Sequence, residues 1–369
     1  WYTDKDNNSL YEISIGSENG SVEANTNGSG MFAYLDNVST LDLSGLDTSN
    51  MTSMSKMFYK STSLTNIDLS GFDTSKVVNM NGMFTGCTNL KTLDVSNFKT
   101  SKVTDMNNMF EDCSSLTTLD LSNFDTSNVT TMGNLYSYGY GGMFRNCSSL
   151  TNLNISSFNT SKVKLMSNMF HGCSSLVTLD LSNFDTSNVT AMASMFEKCT
   201  SLKNLNLSSF NTSKVTDMNF MFMNCKSLAD LNLSSFNTSS VQTFKQMFYT
   251  CSSLVNLDLS SFDTSNAISM WHMFSGSSNL ETLDLSNFTT SKLETTYFMF
   301  YNCSKLKTIY VSNEWVTTSL KTSSGMFTNC YSLIGTSPEG ITTKYDSSKI
   351  DASMANYTNG YLTYKKNTN

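Results

Sequence analysis

The chain has 369 residues, a formal net charge of -7, 39% apolar residues, 18 glycines and a single proline, Pro338. Its basic residues are lysines apart from Arg145, and no basic patch is interleaved with aromatics, which argues against nucleic acid as a partner. No run approaches the roughly 18 apolar residues of a membrane-spanning helix, no segment reads as a signal peptide, and the scarcity of Pro and Gly does not suit domains strung on flexible linkers.

Residues 1–30 are polar, with one alternating patch at 10–15 and with Trp1 and Tyr2 placed to lid whatever follows; they read as an N-terminal cap. From there the sequence repeats. The dipeptide Met-Phe begins at Met31, Met57, Met83, Met109, Met143, Met169, Met195, Met221, Met247, Met273, Met299 and Met326, giving twelve units with a step of 26. Two steps differ: one is 34, an insertion of eight residues at 135–142, and the last is 27. Self-similarity at such a period is the signature of a solenoid, in which each unit buries its apolar face only against its neighbours.

Within a unit, Leu116, Leu119 and Leu121 follow the leucine-rich pattern L-x-x-L-x-L, and the alternation of Leu119 and Leu121 with Asp120 and Ser122 predicts a strand over 118–122 with one buried face. Phe124 turns inward, and Asp125, Thr126 and Ser127 read as turn and N-cap residues. The period then lengthens. Val163, Met166, Met169, Phe170 and Cys173 fall at offsets 0, 3, 6, 7 and 10, one apolar face of a short helix. The expected fold is therefore an α/β repeat solenoid with a parallel sheet on the concave side and short helices on the convex side, bent because strands stack ~4.8 Å apart and helices need ~8–10 Å. The solenoid should span 31–333. Beyond it, residues 334–369 hold Pro338, Tyr345, Tyr357, Tyr361 and Tyr364 and read as a C-terminal cap.

Chemistry-bearing residues fall in columns. All nine cysteines, from Cys87 to Cys330, lie four residues after the repeat Met, with Ser61 and Ser277 in the same column. This is the repeat spacing rather than C-x-x-C, so no zinc site or other cofactor is expected, and the thiols read as small buried hydrophobes. A mid-strand column contains Asp120, Asp180, Asp258 and Asp284, with Asn154, Asn206 and Asn232 in other units; a second Asp/Asn column follows five residues later, and the two match in eight of ten units. These side chains either bond neighbouring Ser, Thr and backbone groups or form a cation or ligand track. The insertion carries Tyr136, Tyr138 and Tyr140 among glycines, a composition suited to a recognition loop or to a tolerated insertion without a partner. His171 and His272 occupy different repeat positions and read as surface residues; no catalytic arrangement can be built around either, and an enzyme is not expected.

The unit M-F-x-x-C-x-x-L-x-x-L-D-L-S-x-F-D-T-S-x-V-T-x-M resembles the BspA-like leucine-rich repeat surface proteins, and more narrowly the subtype seen in mycoplasma lipoproteins and low-GC Gram-positive bacteria. The tail is similar to that family's closing segment through Cys330, Leu333, Ile334, Gly335, Tyr345, Gly360, Tyr361 and Lys365. The resemblance implies a bacterial cell-surface or secreted protein associated with adhesion to host or matrix proteins or to other cells, and the leading expectation is an adhesin that presents its concave sheet to a host or matrix protein or a glycan. It carries over no catalytic residues, and no sorting signal or lipobox is visible. The ligand-binding candidates are Tyr136, Tyr138, Tyr140, Asp120, Asp180, Asp258 and Asp284. The competing expectation is a spacer, stalk, or surface-layer or fibre subunit, with self-association in place of a discrete ligand.

Overall fold

The computed structural model describes residues 2–3, 9–16, 20–135 and 141–366. The chain divides into two compact units, Trp1–Asn188 and Val189–Asn369. Each is a β-solenoid whose coils are the 26-residue repeats.

In unit 1 the leucine-rich segment forms the expected strands. Val38–Asp42 pairs in parallel with Asn66–Asp68, and Thr118–Asp120 pairs in parallel with Asn152–Asn154, with Leu119 opposite Leu153 and Asp120 opposite Asn154. The strand at Leu119 is two residues shorter than predicted, because Ser122 N–H is taken by the Asp120 side chain and Phe124 N–H by the Leu121 carbonyl, which turns the chain. Residues before the first repeat stack on it in the same way: Tyr11–Ser14 pairs in parallel with Val38–Asp42, and Val22–Glu23 with Leu46–Asp47. Tyr2–Thr3 closes this end antiparallel to Tyr11–Ser14. In unit 2, Thr282–Leu285 pairs in parallel with Thr308–Val311, which pairs in parallel with Thr363–Tyr364, and the antiparallel pair Ile334–Thr336 and Thr342–Lys344 lies outermost. The tail thus supplies the last parallel rung, and Tyr361 is buried with its ring edge-on to Phe327 at 5.4 Å, ending the Phe column.

The expected helices are absent. Among the described residues the only helical element is the 3-10 turn Ala352–Met354. Where a helix was predicted around Met169, the N–H groups of Met169, His171 and Cys173 bond the carbonyls three residues back, not four. Asn168 and Gly172 have φ of 61° and 74°, and two such left-handed residues four apart recur in coil after coil, as at Lys56 and Lys60 or Ser194 and Lys198. A left-handed residue every fourth position forbids helix propagation. Alternate N–H groups instead donate to the next coil: Met54, Lys56, Phe58 and Lys60 bond the carbonyls of Asn79, Asn81, Met83 and Thr85. The inward periodicity was real, because overlapping turns also return a side chain to one face every three or four residues. It did not discriminate turn from helix.

The same substitution removes the reason for expecting a wider spacing on that side. In the column following the repeat Met, Phe58, Phe84, Phe110, Phe144 and Phe170 stack with centroids 5.4–5.8 Å apart. In unit 2, Phe196, Phe222, Phe248, Phe274, Phe300 and Phe327 stack at 5.6–5.8 Å. Helices packed side by side need roughly 8–10 Å and cannot fit this pitch.

Polar columns satisfy the backbone between coils. Thr212 is buried; its Oγ1 donates to the Asn237 carbonyl at 2.8 Å and accepts from the Asn237 N–H at 2.9 Å. Thr48, Thr74, Thr126, Thr238 and Thr264 make the same pair of bonds to the coil that follows. Asn123 caps the other side of the turn, its Nδ2 donating to the carbonyls of Val95, Ser96 and Phe98. Asn97, Asn183 and Asn287 repeat this, and Ser157 substitutes its hydroxyl. Sequence reading assigned this Thr to a helix N-cap; it is an inter-coil bridge.

Two stability outcomes follow. Thr212→Val keeps the volume but leaves a buried N–H and C=O unpaired, and should lower the unfolding free energy by about 1–3 kcal/mol in urea titration, with Thr212→Ser clearly milder. Leu205→Ala, at a position only 7% exposed, should cost roughly 2–5 kcal/mol; a loss under about half a kcal/mol would contradict its inward assignment.

Candidate binding surface

The strands of unit 1 present two polar side chains per coil to solvent. Asn66, Thr92, Thr118, Asn152 and Thr178 precede the central apolar residue of each leucine-rich segment, and Asp68, Asp94, Asp120, Asn154 and Asp180 follow it. Between these rows run shallow grooves. One of about 500 Å³ is lined by Asn66, Thr92, Asp94, Thr118 and Asp120, a second of about 360 Å³ by Thr118, Asp120, Asn152 and Asn154, and a third of about 170 Å³ by Asn154, Ser156, Asp180 and Asn183. They share residues and form one polar trough along the strand face.

The Asp column is not a row of free carboxylates. Oδ1 of Asp120 accepts from Ser122 N–H at 3.0 Å, of Asp180 from Ser182 at 2.9 Å, and of Asp258 from Ser260 at 2.9 Å; Asn154, Asn206 and Asn232 accept the equivalent bond. The second column does the same, as at Asp125 with Ser127 and Asn159 with Ser161. Each is a side-chain turn closed two residues on, and since both carboxylate and amide oxygens accept, Asp and Asn are interchangeable there. The backbone bond from Ser122, then the Ser122 side chain, holds the Asp120 carboxyl below its ordinary value, and Ser182 does the same for Asp180. Asp284 differs: its carboxylate meets the Lys365 ammonium, which also lies over the Tyr310 ring. Burial works to raise that carboxyl, but Lys365 and Ser286 outweigh it and hold it low. The C-terminal tail therefore occupies Asp284, while Asp120, Asp180 and Asp258 remain exposed. Among the described residues no group of three or more His, Cys, Asp and Glu could hold a metal ion.

Tyr136, Tyr138 and Tyr140 lie outside the described residues. The base of their loop is described. Gly133 bridges antiparallel to Gly142, and Met143 N–H bonds the Met132 carbonyl. A side chain on either glycine would strike the adjacent coil, with a Cβ 2.4 Å from the Ser167 carbonyl oxygen at Gly133 and 2.2 Å from that of Asn168 at Gly142. Glu111, nearly buried, accepts from Arg145 and from Gly141 N–H, both at 3.1 Å. The lone arginine thus braces the point where the repeat is interrupted.

All nine cysteines are buried free thiols. In unit 1 the Sγ of Cys87, Cys113, Cys147 and Cys173 donates to the Phe carbonyl of the preceding coil, and in unit 2 Cys225, Cys251, Cys303 and Cys330 do likewise, at 3.0–3.2 Å. Ser61 and Ser277 make the same bond at 2.7 Å, which explains their place in the column. Burial pushes the Cys87 and Cys251 thiols up to about 12, far from the thiolate chemistry needs.

His171 is not the surface residue expected, and His272 is half-buried. His171 is 7% exposed. His272 sits in an aromatic cluster of unit 2 that sequence reading missed. Its ring centroid lies 5.8 Å from Tyr249, 5.2 Å from Trp271, 5.8 Å from Tyr297 and 5.1 Å from Phe298, and Tyr301 lies 5.1 Å from Phe298. Lys245 Nζ is 3.9 Å from the Trp271 ring centroid. Burial first, then the Lys245 charge, lowers the His272 pKa, so the imidazole is a neutral ring at pH 7. The signal was present: the two positions before Met-Phe carry Ser-Lys, Asn-Gly, Asn-Asn and Ser-Asn in units of the first half, but Trp271-His272 and Tyr297-Phe298 here.

Two measurements check this account. Iodoacetamide should label essentially none of the nine thiols natively and all nine in denaturant; rapid native labelling of most of them would contradict their burial. For the Asp columns, the sign follows from the lowered folded-state pKa: the turns contribute stability above the ordinary value of 3.8 and lose it as pH falls through the lower folded value. Asp180→Asn should leave the pH 7 melting temperature nearly unchanged and reduce the acid sensitivity, whereas Asp180→Ala should lower the melting temperature at pH 7.

A family model described as "Mycoplasma protein of unknown function, DUF285" matches residues 26–141, 139–254 and 228–337. No curated protein matches the chain. Among solved structures, the chain is similar to one described as the crystal structure of a TLR13–ssRNA13 complex (19% identity over 82% of this chain and 43% of that one, TM-score 0.27). It is also similar to the functional domain of InlJ from Listeria monocytogenes, described as including a cysteine ladder (16% identity over 78% of this chain and 62% of that one, TM-score 0.20). The chain spans less than two thirds of either, and at these TM-scores neither likeness bears on function. The three family matches together run from residue 26 to residue 337, across almost every repeat, and the chain belongs to the family of mycoplasma proteins of unknown function described as DUF285.

Proposed function

We propose that the chain is an extracellular, non-catalytic binding protein that adheres, through the exposed surface of its coils, to a protein or glycan on another surface. The observation that supports this reading best is the strand-face trough of unit 1, where polar side chains recur on every coil and the carboxylates of Asp120 and Asp180 are already held in place by Ser122 and Ser182. Side chains fixed before a partner arrives lose little entropy on binding. The BspA-like resemblance supports the surface location and the adhesive role. Buried high-pKa thiols and an imidazole enclosed by aromatic rings favour binding over catalysis.

The uniformity of the exposed columns favours a second reading, a spacer or a surface-layer or fibre subunit.

The test is surface binding by the purified chain on a panel of matrix proteins and glycans. The expected result is saturable binding to at least one class. A doubly substituted Asp120→Lys, Asp180→Lys protein should lose at least tenfold in affinity for a trough ligand, about 1.4 kcal/mol. Binding to nothing on the panel, together with concentration-dependent assembly into polymers, would turn the conclusion to the structural role.

A further inference from the structure

The aromatic cluster of unit 2 is a second surface with different chemistry from the trough. Trp271 and Tyr297 fall in one repeat column, two residues before Met273 and Met299, and His272 and Phe298 fall in the next. All four are half-buried, as are Tyr249 and Tyr301, three residues after Gln246 and Phe298. The rings are not core. The core column is one step further on, at Met273, Phe274, Met299 and Phe300, all fully buried.

The rings are held. Phe298 lies across Gly325 of the next coil, where a Cβ would come within 2.2 Å of its Cε1 and where φ is +65°, so glycine there both admits the turn and makes room for the ring. Tyr297 and Phe298 meet edge-on at 4.3 Å, and Trp271 and Tyr297 are tilted by 44° at 6.4 Å. A face of rings at fixed mutual angles is ordered before any partner arrives.

The cluster also carries hydrogen-bonding groups that the fold does not use. The hydroxyls of Tyr249, Tyr297 and Tyr301 and the Trp271 indole N–H have no hydrogen-bond partner among the described residues, and Ser275 Oγ, buried in the column between Tyr249 and Tyr301, has none either. The neighbours in these columns are Asn219, Lys245, Gln246, Ser324 and Thr328, with Phe220 and Met223, so polar side chains outnumber apolar ones. Ring faces alternating with donors and acceptors match a pyranose, whose C–H face packs on an aromatic ring while its equatorial hydroxyls reach polar groups at the ring edges.

We propose that the half-buried rings of Trp271, Tyr297, Phe298 and Tyr301 form a carbohydrate-binding site, separate from the trough. The site deepens the reading of the chain as a binding protein and rests on it. Trp271 and Tyr297 supply the stacking platform, and the tyrosine hydroxyls and indole N–H supply orientation. Lys245, with its Nζ 3.9 Å from the Trp271 ring centroid, holds the indole in place.

The experiment uses the full chain on an oligosaccharide panel covering neutral hexoses, N-acetylhexosamines, uronates and sialosides, followed by titration of the best binder while Trp fluorescence and calorimetric heat are recorded. The expected result is binding of at least one oligosaccharide, lost at least tenfold in Trp271→Ala and in Tyr297→Ala and unchanged in Tyr331→Ala, an exposed tyrosine elsewhere in unit 2. Tyr297→Phe removes only a hydroxyl and should weaken binding without altering the melting temperature, which separates a ligand contact from a packing defect. Sugar binding that survives both alanine substitutions in folded protein overturns this site and leaves the adhesive reading intact. Binding of matrix proteins but of no oligosaccharide overturns the carbohydrate class alone. Binding of nothing on either panel overturns both.

Discussion

Adjacent coils within each unit approach closely enough for backbone N–H and C=O groups to bond from coil to coil on more than one side of the repeat. The strands do this in the usual way, but so do the turns around the repeat Met-Phe, where alternate N–H groups reach the next coil. A further bridge joins Asn27, Ser53, Asn79, Asp105 and Thr131 in unit 1, and Asp217, Thr243, Ser269 and Thr295 in unit 2. This close pitch, recorded by Phe stacks of 5.8 Å beside the repeat Met and of 6.3–6.5 Å in the column after the strand, decides what else can exist. A helix satisfies its own backbone and needs nearly twice the spacing. Once the strands set the pitch, the return segment must direct its backbone bonds to its neighbours, and left-handed residues such as Asn168 and Ser194 allow it to do so.

The pitch also explains the side chains that fill each column. A Phe ring stacks on its copy at this distance, and a thiol or hydroxyl reaches a carbonyl one coil away. A Thr hydroxyl spans the gap with both its donor and its acceptor. These are the positions that recur with the least variation along the chain, and the thiol, hydroxyl and Thr columns each close a backbone group that the turns leave open. Cysteine here acts as a small donor of a hydrogen bond in a dry interior, so its odd number has no bearing on pairing.

Much of this was legible beforehand. The period, the strand at Leu119 and Leu121, and the inward columns of Met, Phe and Cys followed from alternation and spacing, because burial repeats whatever the backbone does. The helices did not follow, since offsets of 3 and 4 record only which side chains face inward and say nothing of where the N–H groups point. Asn and Ser at the left-handed positions were a clue, Asn tolerating positive φ better than most residues, but Lys56, Phe220 and Gln246 occupy the same column and hide it. The site was less legible than the fold. The Asp column was recognised, and of its two alternatives the bonding of local backbone is the one observed. The aromatic cluster was missed because its members come from several columns and three consecutive repeats. Only stacking brings Tyr249, Trp271, His272 and Phe298 together.

The division of labour among columns shapes how such a surface can diversify. At Asp120 or Asn154 the fold requires an oxygen that accepts from the Ser two residues on, and it is indifferent to charge. At Trp271 or Ser324, both two residues before the repeat Met, the fold requires only the backbone, since His272 and Phe298 N–H groups reach the Tyr297 and Ser324 carbonyls whatever the side chains are. Charge along the trough and aromatic content beside Met-Phe can therefore change unit by unit while the buried columns stay fixed. The departures from the repeat therefore lie outside the folding requirements that fix the buried columns. In unit 2 the departures concentrate in three successive coils and consist of rings with polar edges that the coils themselves do not use.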